Sequence, residues 1–229
     1  MTMTTWLADL GVGDYGETWD LQKSLVQLRL SGEVPDTLLL VEHPEVITLG
    51  VRGNQSDVLT SEIPVFKIER GGEATYHGPG QLVGYPIFSL KDWVSGVMGF
   101  VRKLEDIIIS AAGDLGIQAG RGEQTGVWSG GKKFASIGLA VKNGTTYHGF
   151  AVNVNNDLSR FNLLRPCGHD GSVMTSISSL SGRSVDVEDF KSKLLNRFEY
   201  LMETKLVPAD LEVIERFRGK GASTENREQ

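Results

Sequence analysis

Hydrophobic positions along this chain alternate between a helical and a strand period, and each change of period predicts an element. Leu21, Leu25 and Leu28 fall at four- and three-residue spacing behind Asp14, a capping residue, and ahead of Ser31, Gly32 and Pro35, so a first helix is expected there. Short runs of branched and aromatic residues at 37–42, 46–49, 65–69 and 82–90, separated by Pro, Gly, Asn and Asp, read as strands. Val101, Leu104 and Ile108 restore the helical period over 97–115, with Gly116 placed to close the helix. The period returns to two over 126–129, 132–141 and 145–153, and Asn143-Gly144 joins the last two as a tight hairpin. A final helix is capped by Asp186, with Asp189 three residues on, and buries a stripe of Phe190, Leu194, Phe198, Leu201 and Met202. Past Arg216 the pattern is lost. One domain over 1–216 and a flexible tail over 217–229 are therefore expected. Hairpins beside helices, without a regular strand-helix-strand repeat, predict an α+β class with a mixed, largely antiparallel sheet packed with helices.

Composition narrows the function classes. The 229 residues are 40% hydrophobic and 23% charged, suited to one large domain. No apolar stretch approaches the roughly 20 residues that cross a bilayer, so no membrane association is expected. A lone cysteine excludes an intramolecular disulfide, and the amino terminus lacks the basic and apolar segments of a signal peptide; a cytoplasmic location is expected. With 23 basic against 29 acidic residues the net charge is −6, which argues against general attraction to nucleic acid. An acidic partner must meet a local basic patch, for which Lys132, Lys142, Arg160 and Arg165 are candidates.

Three segments carry candidate chemistry. The single cysteine, Cys167, sits in Arg165-Pro166-Cys167-Gly168-His169, a polar, loop-like setting rather than an apolar run. A thiolate both attacks an acyl group and leaves it readily, and positive neighbours favour thiolate over thiol. The segment 70–81 holds four glycines and a proline between two strands, a composition that lays backbone close against a ligand. It lacks the Gly-Lys-Ser/Thr ending of a phosphate loop, and a strand rather than a helix follows it, so nucleotide binding has no motif behind it. Lys133 lies on an alternating strand; pointing inward it needs an anionic partner, and on the surface it needs none.

Taken together, RGGEATYHGPGQLVGYP (70–86), GVWSGGKKFASIG (126–138), YHGFAVNVNNDLSRF (147–161) and RPCG (165–168) resemble the octanoyltransferases of protein lipoylation over roughly 21–206. The resemblance implies the fold of the biotin and lipoate protein ligase catalytic domains. It also implies an acyltransferase that takes an octanoyl or lipoyl group from acyl carrier protein. The acceptor is a lysine of lipoyl domains, those of 2-oxoacid dehydrogenase E2 subunits and the glycine cleavage H protein. It implies Cys167 as the acyl-thioester nucleophile and Lys133, rather than Lys132, as the residue that lowers its pKa. Arg70, Gly71, Gly72, Glu73, Ala74, Thr75, Tyr76, His77, Ser136, Ile137, Gly138, Gly149, Phe150 and Ala151 are implied around the acyl substrate, and no cofactor or metal is implied. Thioester exchange needs no ATP, and an ammonium about 4 Å from a thiol favours the thiolate by up to roughly 4 kcal/mol before desolvation losses. Backbone amides near Gly78 or Gly168 are candidates to hold the oxyanion, and Tyr76, Ile137, Phe150 and Val152 to line an apolar trough. The alternatives are an ATP-dependent lipoate or biotin ligase on the same fold, a lipoyl-domain binding module without chemistry, and a cysteine hydrolase using His77, His148 or His169 as base.

Overall fold

A computed structural model describes residues 3–91, 93, 95–165 and 173–217. Asp14 caps the first helix, α1 (Tyr15–Ser31), by accepting from the Glu17 N–H at 3.0 Å, and Gly32 closes it in the left-handed region at φ 79°. β2 (Thr37–Glu42) and β3 (Val46–Leu49) follow at the boundaries their branched residues predict. Before them runs a strand the hydrophobic pattern did not announce, β1 (Met3–Val12), and after the fourth helix a second, β11 (Thr204–Pro208). β1 pairs parallel with both β2 and β11, so its stability comes from non-local ladders rather than from its own weak alternation.

The remaining strands are β4 (Val65–Lys67), β5 (Ala74–His77), β6 (Gln81–Ile87), β7 (Gly120–Arg121), β8 (Val127–Ser129), β9 (Lys132–Lys142) and β10 (Thr145–Asn153). The helices are α2 (Gly96–Gly113), α3 (Ile177–Ser181), α4 (Val187–Met202) and α5 (Leu211–Phe217). Eight strands form the main sheet in the order β11-β1-β2-β6-β10-β9-β8-β7, with the two pairings at the β11 end parallel and the rest antiparallel. The expected mixed, largely antiparallel sheet packed with helices is what the chain builds. Asn143 and Gly144, both at positive φ (50° and 83°), make the two-residue β9–β10 turn.

Both faces of the sheet are covered. Leu38 and Leu40 of β2 point one way, into a core with Phe100, Leu104 and Ile108 of α2 and Phe190, Leu194 and Phe198 of α4. Leu39 and Val41 point the other way, against Leu21 and Leu25 of α1 and Ile214 of α5. That alternation explains why β2 reads as a continuous apolar run. Leu201, expected in the α4 stripe, is only half-buried. A second, three-stranded sheet, β4-β3-β5, stands over the β9–β10 hairpin on a core of its own, in which Ile47, Leu49 and Tyr76 meet Phe161, Leu164 and Met174. Beyond Phe217 the expected tail lies outside the described residues. Among those residues no helix is long and apolar enough to cross a membrane.

Candidate functional site

Where the small sheet meets the main one, a cleft of about 530 Å³ opens. The loop 70–73 forms its roof, and the Arg70 guanidinium folds that loop: Nη2 donates to Thr48 O at 2.7 Å and to Glu73 O at 2.8 Å, and Nε donates to Thr48 Oγ1 at 3.2 Å. The roof is tied to β9 by the Gly71 N–H, which donates to Leu139 O at 2.9 Å. Gly138 makes that approach possible, since a Cβ there would lie 2.8 Å from Gly71 O. The floor comes from β10, where a Cβ on Gly149 would sit 2.0 Å from Gly84 O and one on Gly84 would strike the Phe150 ring at 2.2 Å. Backbone is thus the inner surface at the positions where the motifs place glycine. Gly149→Ala is expected to force β6 and β10 apart and lower unfolding stability by about 1–3 kcal/mol, measured by urea titration.

Every residue expected around the acyl group lines this cleft except Tyr76. Tyr76 is a correction: its hydroxyl donates to Glu45 Oε1 at 2.9 Å and its ring meets Phe161 edge-on, on the far side of β5. Strand alternation is the reason, since Tyr76 and His77 must face opposite ways. Of the expected trough, Ile137 and Phe150 line the cleft, whereas Val152 lies in the core beneath α2. Gly78 is not among the lining residues. Lys132 is exposed and Lys133 is buried at 7% exposure on the cleft wall, its Nζ 5.7 Å from the Trp128 ring. Arg160, a candidate for a basic patch, is paired with Glu45 at 2.8 Å.

Cys167, with Pro166, Gly168 and His169, lies outside the described residues. The chain on either side of that segment is anchored. The Arg165 N–H donates to Asp57 O at 2.8 Å, and Met174 bridges Lys133, whose carbonyl accepts from the Thr175 N–H at 2.9 Å. Val173 and Met174 both line the cleft.

A buried polar chain links the two ends of the site. Gln81 Nε2 donates to Tyr76 O and to Asn153 Oδ1 (2.9 Å), so its Oε1 accepts and the proton sits on His77 Nδ1, 2.7 Å away. Asn153 Nδ2 then donates to Thr175 O at 3.0 Å, beside Lys133. Behind it His43 donates from Nδ1 to Gly13 O at 2.7 Å and accepts from the Tyr85 hydroxyl at 2.8 Å. Burial pushes the His43 imidazole down to about 4 and that of His77 to about 3. Unfolded, each takes up a proton near pH 6.5, so the stability from keeping them neutral is complete above that pH and is lost as pH falls toward the folded values. Between about pH 6.5 and 5 unfolding free energy is expected to drop by up to about 1.4 kcal/mol per pH unit for each histidine. His148, also lowered by burial, acts in the same direction. Urea titrations across that window measure it, and a flat profile contradicts it.

Several lining groups had no sequence signal. Tyr15 opens α1 and Tyr85 lies mid-strand in β6, and both are buried side chains that border the cleft. Val97 and Met98 form a wall from the first turn of α2, exposed on a helix whose stripe predicted only Val101 and its partners. His148, by contrast, is among the candidate bases named from the sequence; it sits at φ 55° within β10, giving its N–H to Gln22 Oε1 at 2.8 Å and approaching Glu69 Oε2 at 3.3 Å from Nε2. Left-handed backbone at a non-glycine residue is strained by roughly 1–3 kcal/mol, and here it borders the cleft. Among the described residues no group of three or more His, Cys, Asp or Glu is placed to hold a metal ion.

Comparison with known proteins places this arrangement. Residues 14–199 match the model of the lipoyl protein ligase A/B catalytic domain. The octanoyltransferase of Syntrophotalea carbinolica is 44% identical over 201 residues, covering 87% of this chain and 95% of its own. The probable octanoyltransferase of Pyrobaculum calidifontis is 45% identical over 203 residues, covering 88% and 87%. Among solved structures, the bipartite lipoate protein ligase of Thermoplasma acidophilum, analysed with its E2 lipoyl domain, matches with a TM-score of 0.76 at 15% identity, covering 95% of this chain and 91% of that one.

Proposed function

Because this chain belongs to the lipoyl protein ligase A/B catalytic-domain family, and within it to the octanoyltransferases, we propose that it carries an octanoyl group from acyl carrier protein to a lysine of lipoyl domains through a thioester on Cys167. In the first step the Cys167 thiolate attacks the donor thioester, and the carrier's thiolate leaves and takes a proton. In the second the neutral ε-amine of the acceptor lysine attacks the Cys167 thioester; an amide forms, the enzyme thiolate leaves and the amine loses its proton. Atoms and charge balance without ATP, because one thioester replaces another before the amide forms.

The observation that supports this most is Lys133. An ammonium with little access to water stands on the wall of the acyl-sized cleft, and its backbone bridges Met174, seven residues beyond Cys167. A positive charge at that place favours the thiolate form of a nearby cysteine over the thiol. Ile137, Phe150, Val97 and Met98 are apolar groups of the cleft wall suited to an acyl chain. His77 and His148 suit a hydrolytic base poorly, since burial holds both imidazoles weakly basic. The test is transfer in the absence of ATP. With octanoyl carrier protein and a lipoyl domain, one octanoyl group is expected on the acceptor lysine; transfer only with free octanoate and ATP would replace this reading with a ligase.

A further inference from the structure

A fully buried carboxylate that the transfer chemistry does not use lies one layer behind Lys133. Glu105, on α2, has no exposed surface, and its three hydrogen bonds reach three parts of the chain. Oε2 accepts from Arg102 Nη1 and from Arg121 Nε, each at 2.8 Å, and Oε1 accepts from the Gly126 N–H at 3.0 Å. The segment it clamps lies at the edge of the main sheet. β7 and β8 are two and three residues long at the edge of the sheet, and the β8–β9 register shifts between Val127 and Trp128.

Gly126 carries the consequence to the site. At φ 130° it presents bare backbone, and a Cβ there would lie 2.3 Å from Ala135 O and 2.6 Å from Lys133 Cε. The Lys133 stem therefore rests directly on the residue that Glu105 holds. The same segment supplies the ring near its ammonium: Trp128 lies flat against Gly122 and donates from Nε1 to Gln124 O at 3.1 Å. Gln124 and Thr125 then continue along the cleft.

We propose that Glu105 is a positioning residue for Lys133, setting where its ammonium stands through the hydrogen bond to Gly126. The inference rests on the reading of Lys133 as the group that ionises Cys167. Loss of the carboxylate leaves Arg121 its bonds to Asp106 Oδ1 at 2.6 Å and Arg102 O at 3.1 Å, so β7 keeps an anchor and the fold is expected to survive.

The experiment measures iodoacetamide alkylation against pH, which reads Cys167 alone because the chain has no other cysteine. It is run with octanoyl-transfer kcat and KM on the parent, Glu105→Ala, Glu105→Gln and Lys133→Ala. Glu105→Ala is expected to move the alkylation midpoint upward toward that of Lys133→Ala. It should lower kcat on the order of tenfold with KM for octanoyl carrier protein within about twofold. Glu105→Gln, whose amide oxygen still accepts from Gly126, recovers most of the loss. A Glu105→Ala protein that melts earlier yet keeps the parent midpoint and kcat overturns the proposal, as does a Gln variant no better than Ala. If Glu105→Ala does not fold, Glu105→Asp, charged but one methylene short of Gly126, takes its place with the same expectations. An unmoved midpoint in Lys133→Ala brings down the reading of Lys133 itself, whereas a shift in Lys133→Ala alone brings down only the role of Glu105.

Discussion

Cys167→Ser is expected to lower octanoyl transfer to a lipoyl domain by at least about 1,000-fold, with the fold and melting temperature unchanged. The substitution replaces sulfur by oxygen at nearly constant shape, so the loss is chemical. At neutral pH a serine hydroxyl stays protonated even with an ammonium nearby, because its ionisation lies far above that of a thiol, and among the described residues of the cleft wall burial keeps the two histidines, His77 and His148, weakly basic. An ester formed slowly on serine also resists the acceptor amine more than a thioester does, so both halves of the reaction suffer. Steady-state transfer measured with a fixed lipoyl domain checks this, and activity within a few fold of the parent removes Cys167 from the mechanism.

Lys133→Ala is expected to reduce transfer by about 10- to 100-fold and to move the Cys167 alkylation midpoint toward the ordinary thiol value near 8.5. The cation is buried and lines the cleft, so its charge acts through a medium that screens less than water. With it gone, only a few per cent of thiol is ionised at pH 7, which caps the first step. Raising the pH should restore much of the lost acylation rate in the variant but little in the parent. That difference separates an electrostatic role from simple disruption of the wall.

Local signals made most of the fold legible. Asp14, Gly32 and the Leu21–Leu25 spacing defined α1, and Asn143-Gly144 defined the β9–β10 hairpin, because caps and tight turns are written in neighbouring residues. β1 and β11 escaped because each is stabilised by parallel pairing across the chain, Met3 with Thr204 for instance, which no local window contains. β5 was hidden within 70–81, whose glycines read as loop although Ala74–His77 pairs with β3. The glycine-rich motifs located the cleft well, since Gly138 and Gly149 are backbone surfaces that a side chain would fill. Motif membership gave no side-chain direction, so Tyr76 was counted with its neighbours while strand alternation turned it into the small core. Glu105 had no signal beyond a charged residue on an otherwise apolar helix face, the one position in that stripe where burial demands partners.

The central claim is that Cys167 carries the acyl group between donor and acceptor, and intact mass tests it most directly. The protein is incubated with octanoyl carrier protein and no acceptor, quenched in acid and weighed, and the modified peptide is then mapped. One octanoyl group per chain is expected, on Cys167, released by neutral hydroxylamine and discharged when lipoyl domain is added. An unmodified mass under conditions where transfer to the lipoyl domain proceeds at full rate, or an octanoyl group mapped to any residue other than Cys167, contradicts the account.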